Sequence, residues 1–243
     1  MWSERGFLFC TLVDTGSVTA SIDPLSSLFP ARMALPPTAL ARLTRLLSSG
    51  RRNVLGLTGP PGCGKSTLAA ALCEACGGAA QVVPMDGFHL ANSELHRLGR
   101  HGRKGAPDTF DAAGFADLLA RLRRQGNDSA DELLYAPEYR RELEEALAGA
   151  IGVRSDTRLI VTEGNYLLLD QGAWAGVAAL LDECWYVEVD ESLRIDRLTS
   201  RHVQFGRTPE QARGWIGRTD EPNARLIATT RGRADWVFRW EGA

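Results

Sequence analysis

Nine residues, GPPGCGKST, run from Gly59 to Thr67 and carry a pattern that can cradle phosphate. Gly59, Gly64, Lys65 and Ser66 occupy the fixed positions of G-x-x-x-x-G-K-[ST], with Pro60, Pro61, Gly62, Cys63 and Thr67 completing the loop. A backbone that wraps a phosphate chain must aim several N–H groups inward, and side chains would block that approach, so glycines are required. A lysine here reaches the β- and γ-phosphates, and the following hydroxyl ligates Mg²⁺. The helix that starts at Lys65 adds the positive end of its dipole. The chemistry implied is the binding of a nucleoside triphosphate.

Two carboxylates stand where such a loop could use them. AAQVVPMDGFHL reads as a strand that ends at Asp86, where a carboxylate could face the γ-phosphate, orient an acceptor hydroxyl and take its proton. Gly87 lets the chain turn away, and His89 is placed to contact the acceptor or to pack beneath the loop. RLIVTEGNYLLL runs apolar to Glu163, as a Walker B element does, so Glu163 is expected to hold Mg²⁺ through water or to position Asp86. A third feature is RIDRLTSRHVQFGRTPEQAR. Its Arg194, Arg197 and Arg201 share one helix face. Phosphoryl transfer needs cations that close over the phosphates, which suggests a lid with Arg201 as its principal charge. Of the 28 basic residues only Lys65 and Lys104 are lysines. A compact ammonium does different work from a planar guanidinium, so Lys104, in GRKGAPDTFD, is a functional candidate.

The elements that must position these groups alternate from Asn53 onward. Strands are expected at 53–58, 79–85, 158–162, 184–189 and 236–239. Helices are expected at 37–49, 65–76, 111–124, 174–181, 192–205, 209–216 and 221–231. This βαβα order predicts a mostly parallel five-stranded sheet covered on both faces, with ligands at the carboxyl ends of its strands. The stretch 90–131 interrupts the alternation and is expected to build the acceptor side. Residues 1–32 lack a periodic apolar face and are expected to be a disordered or mis-assigned extension, with Met33 opening the domain that runs to residue 243.

The bulk properties set limits. The chain has 243 residues, 44% hydrophobic content and a formal net charge of −2, which fits one α/β domain and offers no basic field for nucleic acid or an anionic membrane. No apolar run is long enough to span a bilayer. The five cysteines are odd in number and lack the spacing of a disulfide framework, which points to a reducing cytoplasm.

Taken in order, GPPGCGKST, MDGFHL, RKGAPDTFD, YAPEY, TEGNYLLL and DEPNARLI…RADWVF resemble the kinases related to uridine kinase, phosphoribulokinase and bacterial pantothenate kinase. The chain looks nearest to the bacterial nucleoside/nucleotide kinase or fructose transport-system kinase subgroup. The resemblance covers roughly 35–240 and implies a three-layer P-loop NTPase fold with an Arg-rich helical lid. It implies ATP and Mg²⁺ as cofactors, with Asp86 contacting the acceptor hydroxyl and Glu163 as the acidic residue of the E-G pair. Arg103, Lys104 and Asp108 would line the acceptor pocket, with His89 and Tyr139 beside them. Asn223 and Arg231 would lie near the adenine. After YAPEY the family pattern has an acidic residue before an arginine, and this chain has Arg140 before Arg141.

The expected activity is an ATP-dependent transfer to a hydroxyl of a sugar, nucleoside or related alcohol. Lys65, Asp86 and Arg201 would be catalytic, and Ser66 and Glu163 metal-linked. The alternative is a regulatory ATPase or switch with no small-molecule acceptor; a GTPase switch would carry N-K-x-D, which the sequence lacks. Nucleic acid and membrane are not expected as partners, and a homodimer is left open.

Overall fold

A computed structural model describes residues 34–128 and 133–240. The expectations for residues 1–32 and for a start at Met33 lie outside the described residues. Five parallel strands form the central sheet: β1 Asn53–Thr58, β2 Ala80–Val82, β5 Leu159–Glu163, β6 Glu183–Glu188 and β7 Trp236–Arg239. Their spatial order is β2-β5-β1-β6-β7, so β1 lies at the centre. Every residue of β1 and β5 is buried, as expected for parallel strands covered on both faces.

The period of two divides the sheet's side chains between two layers. Val54, Ile160 and Tyr186 join Phe115, Leu119 and Leu122 of α4 (Ala112–Asp128) in one cluster, with Tyr166 and Trp174. Leu55, Leu57 and Trp185 face the other way, toward the layer that holds Leu68 and Leu72 of α2 (Lys65–Ala75). At the amino ends of the strands, α1 (Pro37–Leu47) is tied down by Arg45, which pairs with the buried Glu183 at 2.7 Å. Arg52 is buried and donates to the carbonyls of Leu122 (2.9 Å), Thr157 (2.8 Å) and Ser155 (3.0 Å). Those bonds offset the desolvation of its charge.

Several boundaries differ from the sequence reading for local reasons. The second strand stops at Val82 because Pro84 has no N–H to donate, and the chain turns through a 3₁₀ segment, Met85–Phe88. The helix expected at 174–181 is two short 3₁₀ turns, Gly172–Gly176 and Ala178–Leu180. After α5 (Glu191–Gln204) comes α6 (Pro209–Trp215), which runs through one π turn, Ile216–Asp220, into α7 (Glu221–Ala228). The remaining helix, α3, spans Asn92–Arg97.

One element was not expected at all. Residues Leu134–Arg140 (β3) and Glu145–Val153 (β4) form an antiparallel hairpin apart from the main sheet. ELEEALAGA is rich in helix formers, and Pro137 breaks the strand pattern. In the hairpin the register shifts between Ala136 and Glu138, so Pro137 sits at a bulge where no ladder donor is needed.

Candidate active site

The phosphate loop joins the carboxyl end of β1 to α2, where the strand order places a ligand crevice. Gly62 and Gly64 adopt φ of +83° and +94°, which side chains rarely tolerate. Space matters as well. A Cβ on Gly62 would meet Leu198 Cγ at 2.8 Å and the Arg194 carbonyl at 2.9 Å, so α5 rests directly on the loop. The Lys65 ammonium is buried and donates to the carbonyls of Gly59 (2.8 Å) and Pro60 (3.2 Å). Ser66 Oγ donates to Glu163 Oε1 at 2.8 Å, which brings a hydroxyl and a carboxylate from different elements together. These hard oxygen donors, beside a cradle that only glycine can line, fit Mg²⁺ and a phosphate chain.

Two close backbone approaches set Asp86. A Cβ on Gly164 would lie 2.5 Å from Met85 Cβ, and one on Gly87 would lie 2.2 Å from the Pro137 carbonyl. Glycine at these positions lets the end of β2 touch both the end of β5 and the hairpin, so Asp86 lies beside Glu163 and Arg141. Burial alone would raise the Asp86 carboxyl. The charges of His89, Arg141, Lys65 and Arg201 together hold it below the ordinary carboxylate range. The Glu163 carboxyl moves the other way, pushed up by burial and then by the Asp86 charge. Of the two, Asp86 is the better poised as an ionised base.

The side expected to meet an acceptor is an aromatic and cationic wall. His89 Nδ1 donates to the Asp86 carbonyl at 2.8 Å; because a carbonyl only accepts, the ring proton is on Nδ1. The ring lies between Phe110 (4.0 Å between centroids) and Tyr139 (4.5 Å). Burial pushes the His89 imidazole down, and the Tyr139 hydroxyl is pushed up to about 12, by burial first. The Lys104 ammonium sits 5.3 Å from the Tyr139 ring centre. It donates to Asn92 Oδ1 at 2.6 Å and to the Glu144 carbonyl in the β3–β4 turn. Lys104 therefore clamps the hairpin to the preceding loop. Arg103 pairs with Asp108, and Arg100 does so at 3.3 Å, so these charges are taken up by one another.

Arg141 was not singled out from the sequence. The structure sets its guanidinium 3.7 Å from Asp86 Oδ2, at the opening of the β3–β4 turn. The signal that could have found it was the arginine pair after YAPEY, which only the hairpin's register resolves into an outward Arg140, bonded to Glu138 at 2.7 Å, and an inward Arg141.

On α5, Asp190 caps the first turn by accepting from the backbone of Ser192 (2.9 Å) and Leu193 (3.3 Å). Arg194 and Arg197 are buried against the loop, and Arg194 pairs with Glu221 on α7. Burial and the Arg141 charge push the Arg201 guanidinium below its ordinary range, and the charges of Asp220, Asp86 and Glu163 act the other way. His202 holds the helix end: Nδ1 accepts from Arg207 and Nε2–H donates to Asp220, each at 2.9 Å.

The two residues expected near the adenine part company. Arg231 pairs with Glu188 at 2.9 Å, at the carboxyl end of β6. Asn223 instead donates to the Gly105 carbonyl at 3.2 Å, and Tyr166 Oη donates to the same oxygen at 2.5 Å. The first turn of α7 is thereby fastened to the 103–108 segment.

Comparison with known proteins supplies a frame for this site. The family described as ATPase family associated with various cellular activities (AAA) matches residues 55–148, the part that contains the phosphate loop. A Schizosaccharomyces pombe protein provisionally named a uridine kinase is 36% identical over 82% of this chain and 87% of its own. The Escherichia coli protein YggC is 33% identical over 77% of each chain. A crystal structure from Silicibacter sp. TM1040, provisionally named a fructose transport system kinase, is 35% identical. It superposes with a TM-score of 0.75 and covers 84% of this chain and all of its own.

Proposed function

The chain belongs to the P-loop kinases related to uridine kinase, and on that premise we propose that it transfers the γ-phosphate of ATP to a hydroxyl of a small alcohol. The observation that carries this reading is the set of Asp86, Glu163, Ser66 and Lys65 at the strand ends, walled by the hairpin and by α5. A pure ATPase needs no such wall across from its phosphate loop. No helix among the described residues is long and apolar enough to cross a membrane.

The residues then divide the work. Backbone N–H groups of the loop hold the phosphates, and Lys65 exchanges the Gly59 and Pro60 carbonyls for phosphate oxygen. Ser66 and Glu163 would hold Mg²⁺, which offsets phosphate charge when bound. Asp86 accepts the proton of the acceptor hydroxyl at its carboxylate as the oxygen attacks. Arg201 faces the charge that develops in transfer. The test is ADP release from Mg-ATP with a panel of alcohols. A several-fold stimulation by one alcohol, with a phosphorylated product, supports the reading; ADP release that no alcohol raises would favour a regulatory ATPase.

Lys104 gives a second test. Lys104→Ala unclamps the β3–β4 turn and uncovers Tyr139 without touching the phosphate loop. A charged hydrogen bond is worth about 1.5–3 kcal/mol when buried and less at a half-exposed site, so KM for the alcohol should rise about 5- to 10-fold. The Kd of a non-hydrolysable ATP analogue should stay within about threefold. A tenfold loss of nucleotide affinity with an unmoved acceptor KM would place Lys104 in the nucleotide site.

A further inference from the structure

The acceptor wall holds one cation whose hydrogen-bonding edges are open. Arg141 approaches Asp86 only to 3.7 Å, beyond hydrogen-bond reach, its side chain is 42% exposed, and it has no hydrogen-bond acceptor among the described residues. Nearby arginines differ. Arg140 is bonded to Glu138 and Arg97 to Glu94 at 2.6 Å. On the same wall Lys104 is engaged by Asn92 and Glu144, Arg103 and Arg100 by Asp108, and His89 is stacked between two rings.

Asp86 is needed by the acceptor hydroxyl. The nucleotide wall already has its loop, Lys65 and the buried arginines of α5. A positive charge is therefore left over on the acceptor side.

We propose that the acceptor is an anionic alcohol, and that Arg141 binds its carboxylate or phosphate while its hydroxyl meets Asp86. This rests on the kinase reading above and narrows it. A guanidinium presents paired N–H groups that match either anion. The geometry also limits size. Arg141 and Asp86 are 3.7 Å apart, and each would bind its partner at roughly 2.7–3 Å. The anion oxygen and the hydroxyl are then at most roughly 9–10 Å apart, a span that a short hydroxy acid or a polyol phosphate meets.

The experiment uses matched alcohols on the full chain: glycerol with glycerate and glycerol 3-phosphate, erythritol with erythronate and erythritol 4-phosphate, and uridine as a larger neutral alcohol. kcat/KM is measured for wild type, Arg141→Gln and Arg141→Lys. Thermal stabilisation by each alcohol is measured beside it, with Mg²⁺ and a non-hydrolysable ATP analogue present. In wild type at least one anionic alcohol should exceed its neutral parent by about tenfold or more. Arg141→Gln should collapse that ratio toward one, and Arg141→Lys should keep part of it; whether carboxylate or phosphate wins identifies the anion.

The proposal is overturned if no anionic alcohol exceeds its parent in turnover or stabilisation. It is equally overturned if uridine is best, or if Arg141→Gln lowers both members of a pair in proportion; Arg141 would then serve the transferred phosphoryl group. The kinase reading fails separately, if the ATP analogue neither binds nor stabilises. Anion-dependent stabilisation that Arg141→Gln removes would in that case still uphold Arg141 as the anion's site, while overturning the ligand's role as a phosphoryl acceptor.

Discussion

Lys65→Ala is expected to lower kcat by about 10² to 10³. Losing one group aimed at developing phosphoryl charge typically costs on the order of 3 kcal/mol. The structure makes the assignment sharper, because the ammonium rests on the carbonyls of Gly59 and Pro60, inside the loop it serves. Removing it also takes a polar partner from those carbonyls, so a drop in rate by itself could reflect a distorted loop. Lys65→Arg separates the two causes. It keeps a charged donor for those carbonyls, so it should unfold near the wild-type temperature, but its planar fork does not match the contacts of an ammonium, so it should remain strongly impaired. The measurement is ADP release at saturating ATP and alcohol, with unfolding followed in parallel. Rates near wild type for the alanine variant would remove the phosphate loop from the mechanism.

The parts of the fold legible in the sequence were those where local chemistry and tertiary role agree. NVLGLT is apolar throughout because a central parallel strand is buried on both faces, and GPPGCGKST can follow it only as a loop into a helix. Asp86 and Glu163 were visible for the same reason: each ends an apolar run, and the carboxyl edge of a parallel sheet gathers such ends into one place. The hairpin was hidden because its second strand is built from helix formers, and strand pairing at sequence separations of 5 to 19 residues overrides that preference. Arg141 was hidden with it, since its direction depends on the register. The contact of Asn223 with Gly105 was hidden for a related reason. Its position in DEPNARLI says that it lies on the late helix, but only the packing shows that the first turn of that helix reaches Gly105. Contacts that join distant loops leave little trace in spacing.

Asp86→Asn should depress kcat by about 10² to 10⁴ and leave the Kd of an ATP analogue within about threefold. The amide preserves the volume beside Gly87 and Gly164, where the backbones are too close for much adjustment. What it loses is the ability to take a proton. It also removes a negative charge from beside Glu163. In the wild-type protein that charge, after burial, keeps the Glu163 carboxyl above its ordinary value of 4.5. Without it Glu163 ionises at lower pH. A carboxylate must be ionised to help hold Mg²⁺, so rate falls as pH drops through its pKa, and a lower pKa moves that fall to lower pH. The residual kcat/KM of Asp86→Asn should therefore show its acid limb at lower pH than wild type, while its value on the plateau is reduced by orders of magnitude. The two effects have opposite signs at acid pH, which a general loss of structure would not produce. If instead nucleotide affinity collapses, turnover at saturation stays normal and the acid limb does not move, Asp86 binds nucleotide or metal and the proton leaves by another route.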